Sequence, residues 1–73
     1  MKNIIVNVFI AEVACVTPEP GVDATIQTVQ DQYLYEDNLL YTCNSGYVLD
    51  SGDLYRTCLA NQIWDGRQPQ CKS

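Results

Sequence analysis

The side chains best suited to chemistry in this 73-residue chain are four cysteines, spaced Cys15-x27-Cys43-x14-Cys58-x12-Cys71. A thiolate can attack a substrate, ligate a metal or form a cross-link. Attack needs a neighbouring base, and the chain has no histidine to act as one; no nucleophile and base can be paired. Structural zinc sites usually take two ligands from one tight turn, whereas a four-cysteine site here needs four separate loops to converge. Cross-linking is the chemistry that remains. Two disulfides imply an oxidising compartment, so the chain is expected to be extracellular or lumenal. Spacing alone leaves three pairings open.

The carboxylates are numerous but scattered. Nine acidic residues against four basic ones give a net charge of −5. Carboxylate catalysis needs a cleft, which a flat β module of this size rarely has. Asp50 and Asp53 straddle a turn, yet two carboxylates fall short of the six to eight oxygens calcium prefers. The chain is therefore read as a non-enzyme with no cofactor and no metal. Lys2, Arg56, Arg67 and Lys72 form no cluster in sequence, so nucleic acids and polyanions should be repelled.

The cysteines must be held by strands. Leu39, Tyr41 and Cys43 alternate with Leu40 and Thr42, the period-two signal of a strand with one face turned inward. Gly46-Tyr47-Val48-Leu49 follows, and Asp50-Ser51-Gly52-Asp53 reads as a turn into Leu54–Cys58, predicting a hairpin between the two runs. Strict alternation puts Arg56 on the same face as Cys58, where a charge is costly to bury, so a bulge or an early strand end is expected there. Pro69 cannot donate to a ladder and suits an edge or terminal segment. No stretch shows sustained helical periodicity with a capping signal. The fold class is all-β, a small disulfide-rich module. A domain of about this size buries only about 60% of the surface its unfolded chain exposes, so covalent cross-links commonly support it.

The string from Tyr33 to Ser73, with Tyr41-x-Cys43-x2-Gly46-Tyr47-x-Leu49-x2-Gly52, Arg56-x-Cys58-x5-Trp64 and Pro69-x-Cys71, resembles a sushi domain, also called a complement control protein module or short consensus repeat. Cys15-x2-Pro18 matches the usual opening, so the resemblance covers Cys15 to Cys71. It implies an elongated β module with Cys15 bonded to Cys58 and Cys43 to Cys71, one bridge toward each end. It also implies a core of Trp64, Tyr33, Tyr41 and Tyr47. Tyr35 and Tyr55 fall off the core pattern and are candidate interface residues. Two departures fall at turns: Gln62 stands where the family usually has Gly before its tryptophan, and Glu36 where Gly often precedes the strand leading to the second cysteine. Because Gly there usually serves a left-handed backbone, turns that are either remodelled or less stable are expected.

Three segments follow: residues 1–14, the sushi domain over 15–71, and a 72–73 tail. Met1-Lys2-Asn3 and the apolar run Ile4–Ala11 have the basic start and apolar stretch of a secretory signal, with Ala14 as a small residue before a cut. Asn7 and Glu12 depart from that pattern, which leaves a β-prone linker as the alternative. The run is too short for the roughly 20 apolar residues of a membrane span. The resemblance implies a non-catalytic extracellular module, secreted or in the ectodomain of a membrane protein, that binds a protein partner or spaces neighbouring domains. Such modules serve complement-like, adhesion or receptor proteins. Val22 to Gln32, the family's variable region, adds Ile26 and Val29 to the interface candidates. The alternatives are an accessory module of a secreted modular serine protease and a small free secreted inhibitor or defence peptide.

Overall fold

The computed structural model describes residues 13–73. The signal-or-linker assignment therefore lies almost wholly outside the described residues. Seven short strands and no helix are present among them: β1 (Ala14–Cys15), β2 (Ala24–Ile26), β3 (Tyr33–Leu34), β4 (Asn38–Cys43), β5 (Val48–Ser51), β6 (Tyr55–Thr57) and β7 (Gln70–Lys72). They form three antiparallel sheets ordered β1-β3, β2-β4-β6 and β5-β7.

The longest strand, β4, organises the molecule. Leu39 and Tyr41 point inward and are almost completely buried, while Asn38 and Leu40 face solvent, as period-two alternation requires. Its first residue pairs with Thr57, next to Cys58, and its last residue is Cys43. The six residues of β4 therefore hold the Cys15–Cys58 and Cys43–Cys71 bridges roughly 17 Å apart along the strand. Around the first bridge, Tyr33, Leu39, Tyr41 and Trp64 form the core, with Ile26 and Leu54 packed against it. The Tyr33 and Trp64 rings meet edge to face at 5.4 Å, a favoured arrangement of their quadrupoles. The Trp64 indole N–H donates to the Val16 carbonyl at 2.8 Å, satisfying the one polar atom this ring buries.

Three sequence expectations need correction. The turn at Gly52 exists, but it does not close a hairpin: β5 pairs with β7, and β6 pairs with β4. The cause is burial. All four residues of β5 are exposed, so β5 offers β6 no apolar face, whereas β4 offers Leu39 and Tyr41. The same fact moves Tyr47 out of the core. It is 36% exposed, because it leads into a two-stranded ribbon that has no second layer over it. Arg56, finally, is accommodated without a bulge. Tyr41 N–H donates to the Leu54 carbonyl, Leu39 pairs with Arg56, and Cys58 N–H donates to the Asp37 carbonyl, so the register is unbroken. Arg56 lies on the inner face, half-buried, and its guanidinium donates to the Tyr41 hydroxyl at 3.1 Å and the Asp65 carbonyl at 2.9 Å. Hydrogen bonds, rather than a break in the strand, meet the cost of desolvating the charge.

The two turns expected to be remodelled keep the left-handed backbone. Glu36 has φ of 75° and Gln62 has φ of 69°. The Glu36 N–H donates to the Cys58 carbonyl at 2.8 Å and the Gln62 N–H to the Leu59 carbonyl at 3.0 Å, so neighbouring structure holds both residues in place. A non-glycine residue in this region costs about 1–2 kcal/mol, while glycine adds an unfolded-state entropy penalty of about 0.5–1 kcal/mol. Glu36→Gly and Gln62→Gly are therefore each expected to stabilise the module by about 0.5–1 kcal/mol, read as a rise of several degrees in thermal midpoint. Asp23, with φ of 54°, is a control: aspartate tolerates this region better, so Asp23→Gly should give no gain.

Candidate binding surface

The variable region between Val22 and Gln32 begins as β2 and ends as a loop. In β2, Ala24 and Ile26 face inward and Thr25 outward, with Ile26 opposite Tyr41. Ile26 is thus a supporting residue packed against the core, and its assignment to an interface is corrected. The strand's register is extended by bonds from Gln27 N–H to the Leu40 carbonyl and from Leu40 N–H to the Thr28 hydroxyl.

Beyond Thr28 the chain folds over a single buried hydroxyl. Tyr33 Oη donates to the Thr28 carbonyl at 2.7 Å and accepts from the Gln30 N–H at 3.0 Å. Val29 lies between the two residues so held, and it is 79% exposed. The Gln30 side chain donates to the Gln32 carbonyl, and Asp37 Oδ2 accepts from the Leu34 N–H at 2.8 Å, closing the base of the loop. A residue that fills the core with its ring thus positions an apolar side chain in solvent. No motif marks that link in the sequence, since it depends on where the Tyr33 hydroxyl lands after packing.

The remaining interface candidates lie elsewhere. Tyr35 is exposed beside the Cys15–Cys58 bridge, where its N–H donates to the Val13 carbonyl. Tyr55 is exposed on the outer face of β6. Asp50 and Asp53, which straddle the Gly52 turn, have separate duties: Asp50 pairs with Lys72 at 3.3 Å, and Asp53 Oδ2 accepts from the Arg67 N–H at 2.9 Å. Among the described residues, Val29, Tyr35 and Tyr55 are apolar or aromatic side chains left open to contact.

Fold and surface together define a two-disulfide β module in which a small core fixes exposed loops and sheet faces. The sushi repeat family model (SCR repeat) matches residues 15–71, and the chain belongs to that family. Over 59 residues it is 41% identical to the mouse (Mus musculus) sushi, von Willebrand factor type A, EGF and pentraxin domain-containing protein 1, covering 81% of this chain and 2% of that protein. It is 40% identical over 55 residues to bovine (Bos taurus) complement factor B, covering 75% of this chain and 7% of the relative. With the chicken (Gallus gallus) complement factor B-like protease it shares 36% over 56 residues, 77% of this chain and 22% of the relative. The chain thus spans only a small part of the proteins it resembles. Among the described residues, no helix is long and apolar enough to cross a membrane.

Proposed function

We propose that this chain acts as a non-catalytic extracellular protein-binding module, with the loop from Thr28 to Gln32 as a contact site for its partner. The observation that carries the reading is Val29, an apolar side chain left in solvent between two residues tied to the buried Tyr33 hydroxyl. A loop ordered before contact loses less entropy on binding, which favours affinity. The acidic balance argues against nucleic acids and polyanions as partners.

The test uses the parent protein and its binding partner in a surface-capture assay. Val29→Ser is expected to weaken binding by about tenfold or more, as truncating an anchoring side chain does. Tyr33→Phe keeps the ring in the core but releases the loop, and should weaken binding less. Unchanged binding in both variants, with the fold intact, would move the assignment to a spacer between neighbouring domains. The second reading is an accessory module of a secreted modular protease, supported by the likeness to a complement factor B-like protease. A trypsin-like domain encoded downstream in the parent gene would favour it, and a parent gene with no protease domain would count against it.

A further inference from the structure

We infer that the outer face of the β4–β6 pair, centred on Leu40 and Tyr55, is a second docking surface, and that it fits a basic protein surface presenting an aliphatic side chain beside lysine or arginine. The inference rests on the reading of the chain as a protein-binding module. Leu40 and Tyr55 are direct cross-strand partners. The Leu40 N–H and carbonyl point the other way, to Thr28 and Gln27, so the two residues form a non-hydrogen-bonded pair, the arrangement that brings side chains closest. Yet Leu40 is 41% exposed and Tyr55 59% exposed. The pair adds nothing to the core, which lies on the opposite face of the sheet.

Its surroundings are polar on every side. The next outward pairs are Asn38 with Thr57, joined by a 3.0 Å hydrogen bond, and Thr42 with Thr25. An apolar centre within a rim of neutral polar groups is the anatomy of a protein interface, where the rim excludes water from the anchors. Charge selects the partner. The segment after Trp64 runs along the free edge of β6, where Asp53 exchanges bonds with Arg67 and Asp65 exchanges bonds with Thr57. The carboxylates of Asp53 and Asp65 therefore lie along the edge of the strand that carries Tyr55. Of the other cations, Arg56 is turned inward to Tyr41 and Asp65, and Lys72 is engaged with Asp50. In a chain of net charge −5, this face attracts a basic partner and repels a second copy of itself.

The experiment is backbone-amide NMR titration of the folded, disulfide-bonded chain with a peptide of alternating leucine and lysine, and in parallel with one of alternating leucine and glutamate. The basic peptide should shift amides of Asn38–Thr42 and Asp53–Thr57, weaken as salt is raised, and lose about tenfold or more in affinity in Tyr55→Ser. Leu40→Thr should act in the same direction, and unchanged thermal melts would show that both variants fold. The inference is overturned if the acidic peptide binds equally well, if the shifts fall on Thr28–Gln32 instead, or if this face does not respond at all. Any of those results leaves the module reading standing, because Val29→Ser tests that reading separately on the parent's partner.

Discussion

Replacing Cys15 and Cys58 together by alanine is expected to unfold the module, whereas the same change at Cys43 and Cys71 should open only one end of it. Chain entropy alone does not separate the two bridges. They span 43 and 28 residues, and loops of those lengths cost the unfolded state roughly 4 and 3.5 kcal/mol. Their surroundings differ. Cys15 and Cys58 belong to the core cluster with Tyr33, Leu39, Tyr41 and Trp64, so their sulfurs also fill space whose loss adds about 1–2 kcal/mol of cavity and transfer cost. A total of about 5–6 kcal/mol is comparable to the whole stability of so small a domain. Cys43 and Cys71 instead tie the exposed β5-β7 ribbon to the end of β4. Without that bridge, the ribbon can separate while the aromatic cluster stays packed. Hydrogen exchange tests the difference. The Cys43/Cys71 variant should lose protection at Val48–Ser51 and Gln70–Lys72 and keep it at Leu39 and Tyr41, while the Cys15/Cys58 variant should lose it everywhere. Equal and global loss in both variants would mean that core and ribbon unfold as one cooperative unit.

The same division explains what was legible in the sequence. The alternation through Leu39, Tyr41 and Cys43 marked β4, because a strand with one buried face writes its geometry into every second residue. The cysteine frame marked the family for a similar reason: each member is tied to one covalent position. Strand pairing was less legible. A turn signal at Asp50–Asp53 says that the chain reverses, but not which neighbour the next strand chooses. That choice was settled by Leu39 and Tyr41, which offered Leu54 and Cys58 an apolar face that Val48 and Leu49 did not. Tyr47 misled for a related reason, since the family pattern places it in the core, whereas the ribbon it leads into has no cover. Ile26 erred in the opposite direction: its place in a variable region suggested a surface residue, and its pairing with Tyr41 packs it, partly buried, against the core. Within the candidate surface, Val29 was legible as an apolar residue in a polar run. The Tyr33 hydroxyl that holds its loop was not, because that contact exists only after the core has packed.

Substituting Gly52 by alanine should cost far more than substituting Gly46, although their backbones are nearly alike. Both have strongly positive φ, 86° at Gly52 and 87° at Gly46, and a side chain in that region carries a penalty of about 1–2 kcal/mol at either position. What a new Cβ would meet is different. At Gly46 nothing lies within 4 Å. At Gly52 the Gln68 carbonyl oxygen would be 2.2 Å away and the Pro69 Cα 2.7 Å. These are backbone atoms, and the local structure limits their retreat: Pro69 is buried, its carbonyl accepts from the Val22 N–H, and Cys71 follows within the second disulfide. Gly21 closes on the next carbonyl, that of Pro69, where a Cβ would stand 2.5 Å from the oxygen. The two glycines thus let three stretches of main chain meet around Pro69, and this contact seats β7 against β5 and Val22. Gly46→Ala is expected to lower stability by about 1 kcal/mol in urea melts and Gly52→Ala by about 3 kcal/mol or more, the excess being overpacking against fixed backbone. Equal losses would show that the Gln68–Pro69 segment yields freely, and that the meeting of chains around Pro69 contributes little to holding the ribbon in place.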